Sequence, residues 1–244
     1  MYDELPAQER DVLVAKNRLA WNRWIAAGLS DEGRASLVKN GFPEPELAPL
    51  SPEEERAFCR AFAVRTGRKK ELPPEPAANP DFTFTQFDRN VEFQGFLLRD
   101  ADFKSAVFSG GADFTSATFF DANFSSALFS GGAIFKSATF SGHTAFNSAT
   151  FAGADFDSAT FSDYAAFVSA KFSYEAYFNS TTFSGPANFC EATFSYHTAF
   201  NSARFRGGAE FNSTTFSKTA HFISATFSDD AYFHWAKSPA VPHS

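Results

Sequence analysis

Eleven serines recur at one spacing, and they are the first residues to weigh for chemistry. Ser105, Ser116, Ser126, Ser137, Ser148, Ser158, Ser169, Ser180, Ser202, Ser213 and Ser224 each follow a phenylalanine by two residues. A catalytic nucleophile is needed once, so the repetition argues for a turn in which the hydroxyl bonds nearby backbone. The chain has no G-x-S-x-G, H-E-x-x-H, P-loop or G-x-G-x-x-G motif. His143 and His197 stand singly and read as surface histidines, not metal ligands. Cys59 and Cys190 form neither a disulfide framework nor a metal spacing. Cys190 replaces an outward Lys, Asn or Ser of other coils and reads as an exposed neutral filler with an ordinary thiol. The expectation is a protein with no catalytic residue, no cofactor and no metal site.

Something other than chemistry must therefore explain the composition. Of 244 residues, 34 are Phe, against 6 Tyr and 3 Trp, and between positions 101 and 236 the only Leu is Leu128. One side-chain shape is demanded again and again, which points to an internal repeat. Hydrophobic residues make up 44% of the chain, which excludes wholesale disorder. No apolar run approaches the roughly 20 residues of a membrane helix. The start, MYDELPAQERD, is too polar for a secretory signal, and these features together favour the cytoplasm. A net charge of −7 excludes a general basic nucleic-acid binder and leaves room for an acidic surface that meets a basic partner.

Residues 1–70 read as an α-helical segment. Val14, Trp21 and Ile25 recur at helical spacing, with Leu13, Ala20, Trp24 and Ala27 alongside, and Pro6 fits the first turn. Gly28 is a natural stop, and Ser30 caps a short second helix that Asn40, Gly41 and Pro43 end. Ser51-Pro52-Glu53-Glu54 predicts a capping box with Pro at the first helical position, ahead of Phe58, Ala61, Phe62 and Arg65 on one side and Gly67 as terminator. Residues 71–80, with four prolines, read as an extended linker.

From Phe82 the pattern changes. Large apolar residues occupy Phe87, Phe93, Leu98, Phe103, Phe108, Phe114, Phe119, Phe124, Phe129, Phe135, Phe140, Phe146, Phe151, Phe156, Phe161, Phe167, Phe172, Phe178, Phe183, Phe189, Phe194, Phe200, Phe205, Phe211, Phe216, Phe222, Phe227 and Phe233. Most gaps are five residues, and all eleven six-residue gaps run from an odd slot to the next even one. An extra residue inside a side would flip the inward set outward, so it belongs at a corner. The first three such gaps fall four slots apart, which stacks them at one corner of a four-sided coil. The 28 slots then make seven coils, each side strand-like over a few residues with its Phe inward. The residue two before each Phe also points inward and is small, as at Ala106, Ala117, Ala138, Ala159, Thr181, Ala192 and Thr214.

The triplets Ala101-Asp102-Phe103, Ala112-Asp113-Phe114 and Ala122-Asn123-Phe124 resemble the pentapeptide-repeat family, written A(D/N)(L/F)xx, over about residues 81–236. The resemblance implies a right-handed four-sided β-helix with one pentapeptide per side. The domain plan is thus 1–70 helical, 71–80 linker, 81–238 mainly β solenoid and 239–244 tail. Family members protect type II topoisomerases by mimicking DNA, which requires a dense acidic ladder. Here 7 of the solenoid's 15 acids (Asp81, Asp88, Glu92, Asp100, Asp102, Asp113, Asp121) lie in its first coils, and the later coils carry Ser, Thr and Asn. The protecting members also favour Leu at the central slot and often carry a loop, which this chain lacks. Family members often dimerise end to end through the C-terminal coil, which makes Phe233 and Trp235 the expected dimer contact. The alternative is a monomer in which Trp235 folds over Phe233. Outward Thr118, Thr139, Thr160, Thr182 and Thr226 form one column, and Thr150, Thr193 and Thr215 another. An ice-binding array would need them charge-free, but Arg204 and Lys171 interrupt. The expected function is a non-enzymatic protein-interaction scaffold with an unidentified protein partner, no membrane and no direct nucleic-acid binding. A gyrase-binding DNA mimic is the alternative. One of Trp21, Trp24, Phe58 or Phe62 is expected to cover the open first coil.

Overall fold

A computed structural model describes residues 6–39, 41–66 and 80–238. The side chains of Ala61, Phe62 and Arg65, together with Asn40, Gly67, the linker through residue 79 and the tail 239–244, lie outside the described residues. The chain divides into two compact units, residues 1–79 and 80–244.

In the first unit, α1 (Ala7–Ala26), α2 (Asp31–Lys39), a 3-10 turn (Glu44–Glu46) and α3 (Pro52–Thr66) follow in order. Pro6 sits just outside α1 as its N-cap residue. The capping box forms: the Ser51 N–H donates to Glu54 Oε2 (2.8 Å) and the Glu54 N–H to Ser51 Oγ (3.3 Å). Ser30 Oγ likewise accepts the Gly33 N–H at 3.1 Å. The left-handed stop is Gly41 (φ 93°), where Phe42 N–H reaches Leu37 C=O and Gly41 N–H reaches Val38 C=O, a Schellman arrangement. Trp24 and Ile25 are buried, and Trp24 packs on Phe58 with ring centroids 5.3 Å apart.

Arginines absent from the periodicity argument tie these helices together. Arg34 caps the end of α1 by donating to Ala26 C=O (2.9 Å) and Leu29 C=O (2.6 Å). Glu46 joins Arg18 (3.0 Å) and the fully buried Asn22 (2.6 Å). Arg23 grips Ala48 C=O and both Glu54 oxygens (2.8 and 3.0 Å). This guanidinium, helped by Ser51, holds the Glu54 carboxyl down at about 2. A depressed carboxyl contributes stability above its unfolded value of about 4.3 and loses it as pH falls toward the folded value. Glu54→Gln is therefore expected to lower the urea midpoint of the helical signal at pH 6, with a gap that narrows between about pH 4.3 and 2. A gap that stays constant from pH 6 to pH 2.5 refutes the assignment.

The second unit is a solenoid of 28 two-residue strands, from Gln86–Phe87 to Ala231–Tyr232, arranged as four parallel sheets of seven strands. Every fourth strand pairs, as in Thr139↔Thr118 with Phe140↔Phe119 and Ala133↔Ala112 with Ile134↔Asp113. Each sheet is one side of the coil, so the four-slot spacing of the corner insertions appears directly as sheet order. We number the sides from the strand at Phe87, so that side two carries Phe93, side three Leu98 and side four Phe103.

Each Phe ring lies flat on its equivalent one coil away. Phe108 and Phe129 have centroids 4.6 Å apart and an interplanar angle of 3°, and Phe103 and Phe124 are 4.8 Å apart at 1°. Within a coil, neighbouring rings meet edge to face, as Phe108 and Phe114 do at 6.0 Å and 81°, or tilted, as Phe114 and Phe119 do at 5.8 Å and 52°. Phe103, Phe108, Phe114, Phe119, Phe140, Phe151, Phe172, Phe183, Phe194 and Phe205 have no exposed surface. Phe161 shows 1% and Phe216 6%. Phe227, counted with the core from sequence, is 36% exposed because no further coil covers its side. The small inward residues are buried as well. Where Thr replaces Ala, its hydroxyl is satisfied: Thr181 Oγ1 donates to Phe156 C=O (2.8 Å) and Thr214 Oγ1 to Phe189 C=O (2.7 Å).

The solenoid begins one side earlier than the slot count from Phe87. Phe82 stacks on Phe103 at 4.7 Å, and Asp81 bridges Asp102. At the other end Lys237 bridges Thr215 and so adds a residue to side one.

Candidate interaction surface

The repeated serines all sit in turns with a left-handed backbone. All eleven have φ between 56° and 61°, and Gly95 and Glu191 take the same place elsewhere. The turn closes through backbone, as in Ala106 N–H to Phe103 C=O (3.0 Å), with the left-handed residue third of four, the type II signature. At several of these turns the Asp or Asn before the Phe adds a side-chain bond. Asp102 Oδ1 accepts the Lys104 N–H (2.9 Å), Asp113 the Thr115 N–H (2.8 Å), and Asn188 the Cys190 N–H (2.8 Å). A further ladder climbs side two, where Asp157 Oδ1 accepts Asn179 N–H, Asn179 Oδ1 accepts Asn201 N–H, and Asn201 Oδ1 accepts Ile223 N–H (2.7, 3.1 and 3.0 Å). Burial, with Asp155 adding repulsion, pushes the Asp157 carboxyl up.

The candidate reactive groups do not converge. His143 is not solitary, since its Nε2 lies 3.5 Å from Asp163 Oδ2 and its ring 6.1 Å from Tyr164. His197 packs edge-on to Tyr196 at 4.8 Å. Cys190 is half-buried, not an exposed filler. Its thiol donates to Glu210 at 3.3 Å, and burial with that carboxylate pushes its pKa up, which disfavours thiolate chemistry. Among the described residues no three His, Cys, Asp or Glu side chains are grouped to hold a metal, and no helix is long and apolar enough to cross a membrane.

Column order follows from strand register. Thr118, Thr139, Thr160 and Thr182 stand in line on side three, followed by Arg204 and Thr226. Thr118 at 7% exposure and its neighbour Leu97 at 0% are buried on this outward side, so the column is not a uniform solvent face. On side one Lys171 separates Thr150 from Thr193. The acidic columns also break. Side two reads Glu92, Asp113, Ile134, Asp155, Tyr177, Ala199, His221, and side four Asp102, Asn123, Ala145, Ala166, Asn188, Glu210, Tyr232.

Each coil has four sides with a pentapeptide on each, and seven coils stack in register, so the fold follows from the geometry. The chain has the fold of a pentapeptide-repeat protein. Among solved structures it is similar to HetL, a pentapeptide-repeat protein involved in heterocyst differentiation regulation in the cyanobacterium Nostoc. Identity there is 14% over 70% of this chain and 92% of that one, with a TM-score of 0.18. Two trypsin-treated variants of QnrB1, a plasmid-mediated fluoroquinolone resistance protein, are similar at 16% and 18% identity. They cover 63% and 62% of this chain and 89% and 88% of theirs, with TM-scores of 0.23 and 0.20. No sequence family and no curated protein matches the chain.

Two features of this solenoid surface stand out among its exposed large residues, which also include Phe84, Leu128, Ile134 and Tyr232. The first is a tyrosine group on side two and its leading corner: Tyr174, Tyr177 and Tyr196, exposed by 61, 41 and 39%, with His221 and Ile223 further along. Periodicity passed over it, yet its members are legible as the large residues at outward positions. The second is the last coil. Trp235 is 82% exposed and Phe233 43%, so Trp235 does not fold over Phe233; the tail expected to shield this edge in the monomer lies outside the described residues. Trp235 also has φ 56° in the turn position serine usually fills, a costly conformation for a bulky residue.

Proposed function

We propose that this pentapeptide-repeat protein is a non-enzymatic interaction scaffold that binds a protein partner through its outward side chains. The supporting observation is the contrast between an interior given over to stacked Phe and an exterior whose exposed large residues include the neighbouring Tyr174, Tyr177 and Tyr196. Tyrosine is enriched where proteins bind each other, because it brings contact area together with a polar group. The broken acidic columns count against mimicry of a phosphate ladder: Ile134 and Tyr177 interrupt side two, and Ala145 and Ala166 interrupt side four. The test is affinity capture with the whole chain beside residues 80–244 alone. Recovery of the same partner by both supports the reading. Protection of gyrase supercoiling at low salt, lost on neutralising Glu92 and Asp113, overturns it in favour of the DNA mimic.

The exposed last coil adds a specific form of this role, a homodimer through Phe233 and Trp235. Two such ends can cover each other about a two-fold axis. Light scattering is expected to give twice the 26.8 kDa chain mass, reverting to one chain on Trp235→Asp. A single-chain mass across a wide concentration range rules the dimer out.

A further inference from the structure

We draw no further inference here: the strongest candidate, the exposed tyrosine patch of Tyr174, Tyr177 and Tyr196 on side two and its corner, belongs to the surface already described, and nothing in the structure shows what covers it.

Discussion

Phe161→Ala is expected to destabilise the solenoid by about 3–5 kcal/mol, the range for deleting a buried aromatic ring. Phe161 is stacked between Phe140 (4.5 Å, 1°) and Phe183 (4.9 Å, 6°), and the edge of Phe167 meets it at 5.9 Å. With 1% exposure it has no solvent route by which to relax, so the truncation leaves a gap inside a continuous column. The next residue back, Thr160, lies on the outward face in register with Thr139 and Thr182 and supplies the control. Thr160→Ala should shift stability within about 0.5 kcal/mol, as surface substitutions do. Solenoid units couple mainly to their neighbours, so unfolding is best followed by two probes at once. A denaturant midpoint for Phe161→Ala no lower than that for Thr160→Ala would mean that the inward register is wrong.

The second large effect is expected at a corner. A Cβ on Gly131 would lie closer than 3.0 Å to the backbone of Gly110 and Gly111, one coil below. Backbone cannot swing aside as a flexible side chain can. Gly131→Ala should therefore cost about 1–3 kcal/mol through overpacking. Gly153 provides the contrast at the same corner one coil on. Its added Cβ would meet Glu175 C=O at 3.6 Å, an ordinary contact. Gly153→Ala should be near neutral, or stabilising by up to about 1 kcal/mol through the unfolded chain. Equal midpoints for the two variants would show that the coils do not approach each other so closely at this corner.

The solenoid was legible because one constraint repeats. A Phe displaced by one residue within a side would point outward, so slot spacing alone carries the four sides, the seven coils and the cross-coil register seen in pairs such as Phe140↔Phe161. Its margins were less legible. Phe82 stacks on Phe103, yet it precedes the run of regular gaps, so spacing alone does not mark it as part of the coil. The serines are legible as turn residues, but the left-handed φ they adopt there leaves no separate mark in the sequence. The arginine contacts of the helical unit join residues far apart in sequence, such as Arg23 and Glu54, and no periodicity relates them. The tyrosine group was missed for a further reason. Tyr174 and Tyr196 come together only after the coil is closed, and each alone looks like an ordinary surface residue.

In the proposed reading the stacked Phe interior makes the fold and the outward side chains bind the partner. That reading is tested most directly by affinity capture with the whole chain carrying Tyr174→Ser, Tyr177→Ser and Tyr196→Ser together, set beside the same chain unaltered. An unchanged denaturation midpoint and loss of the captured partner are expected. Full capture by the triple variant, at that same midpoint, would contradict the reading.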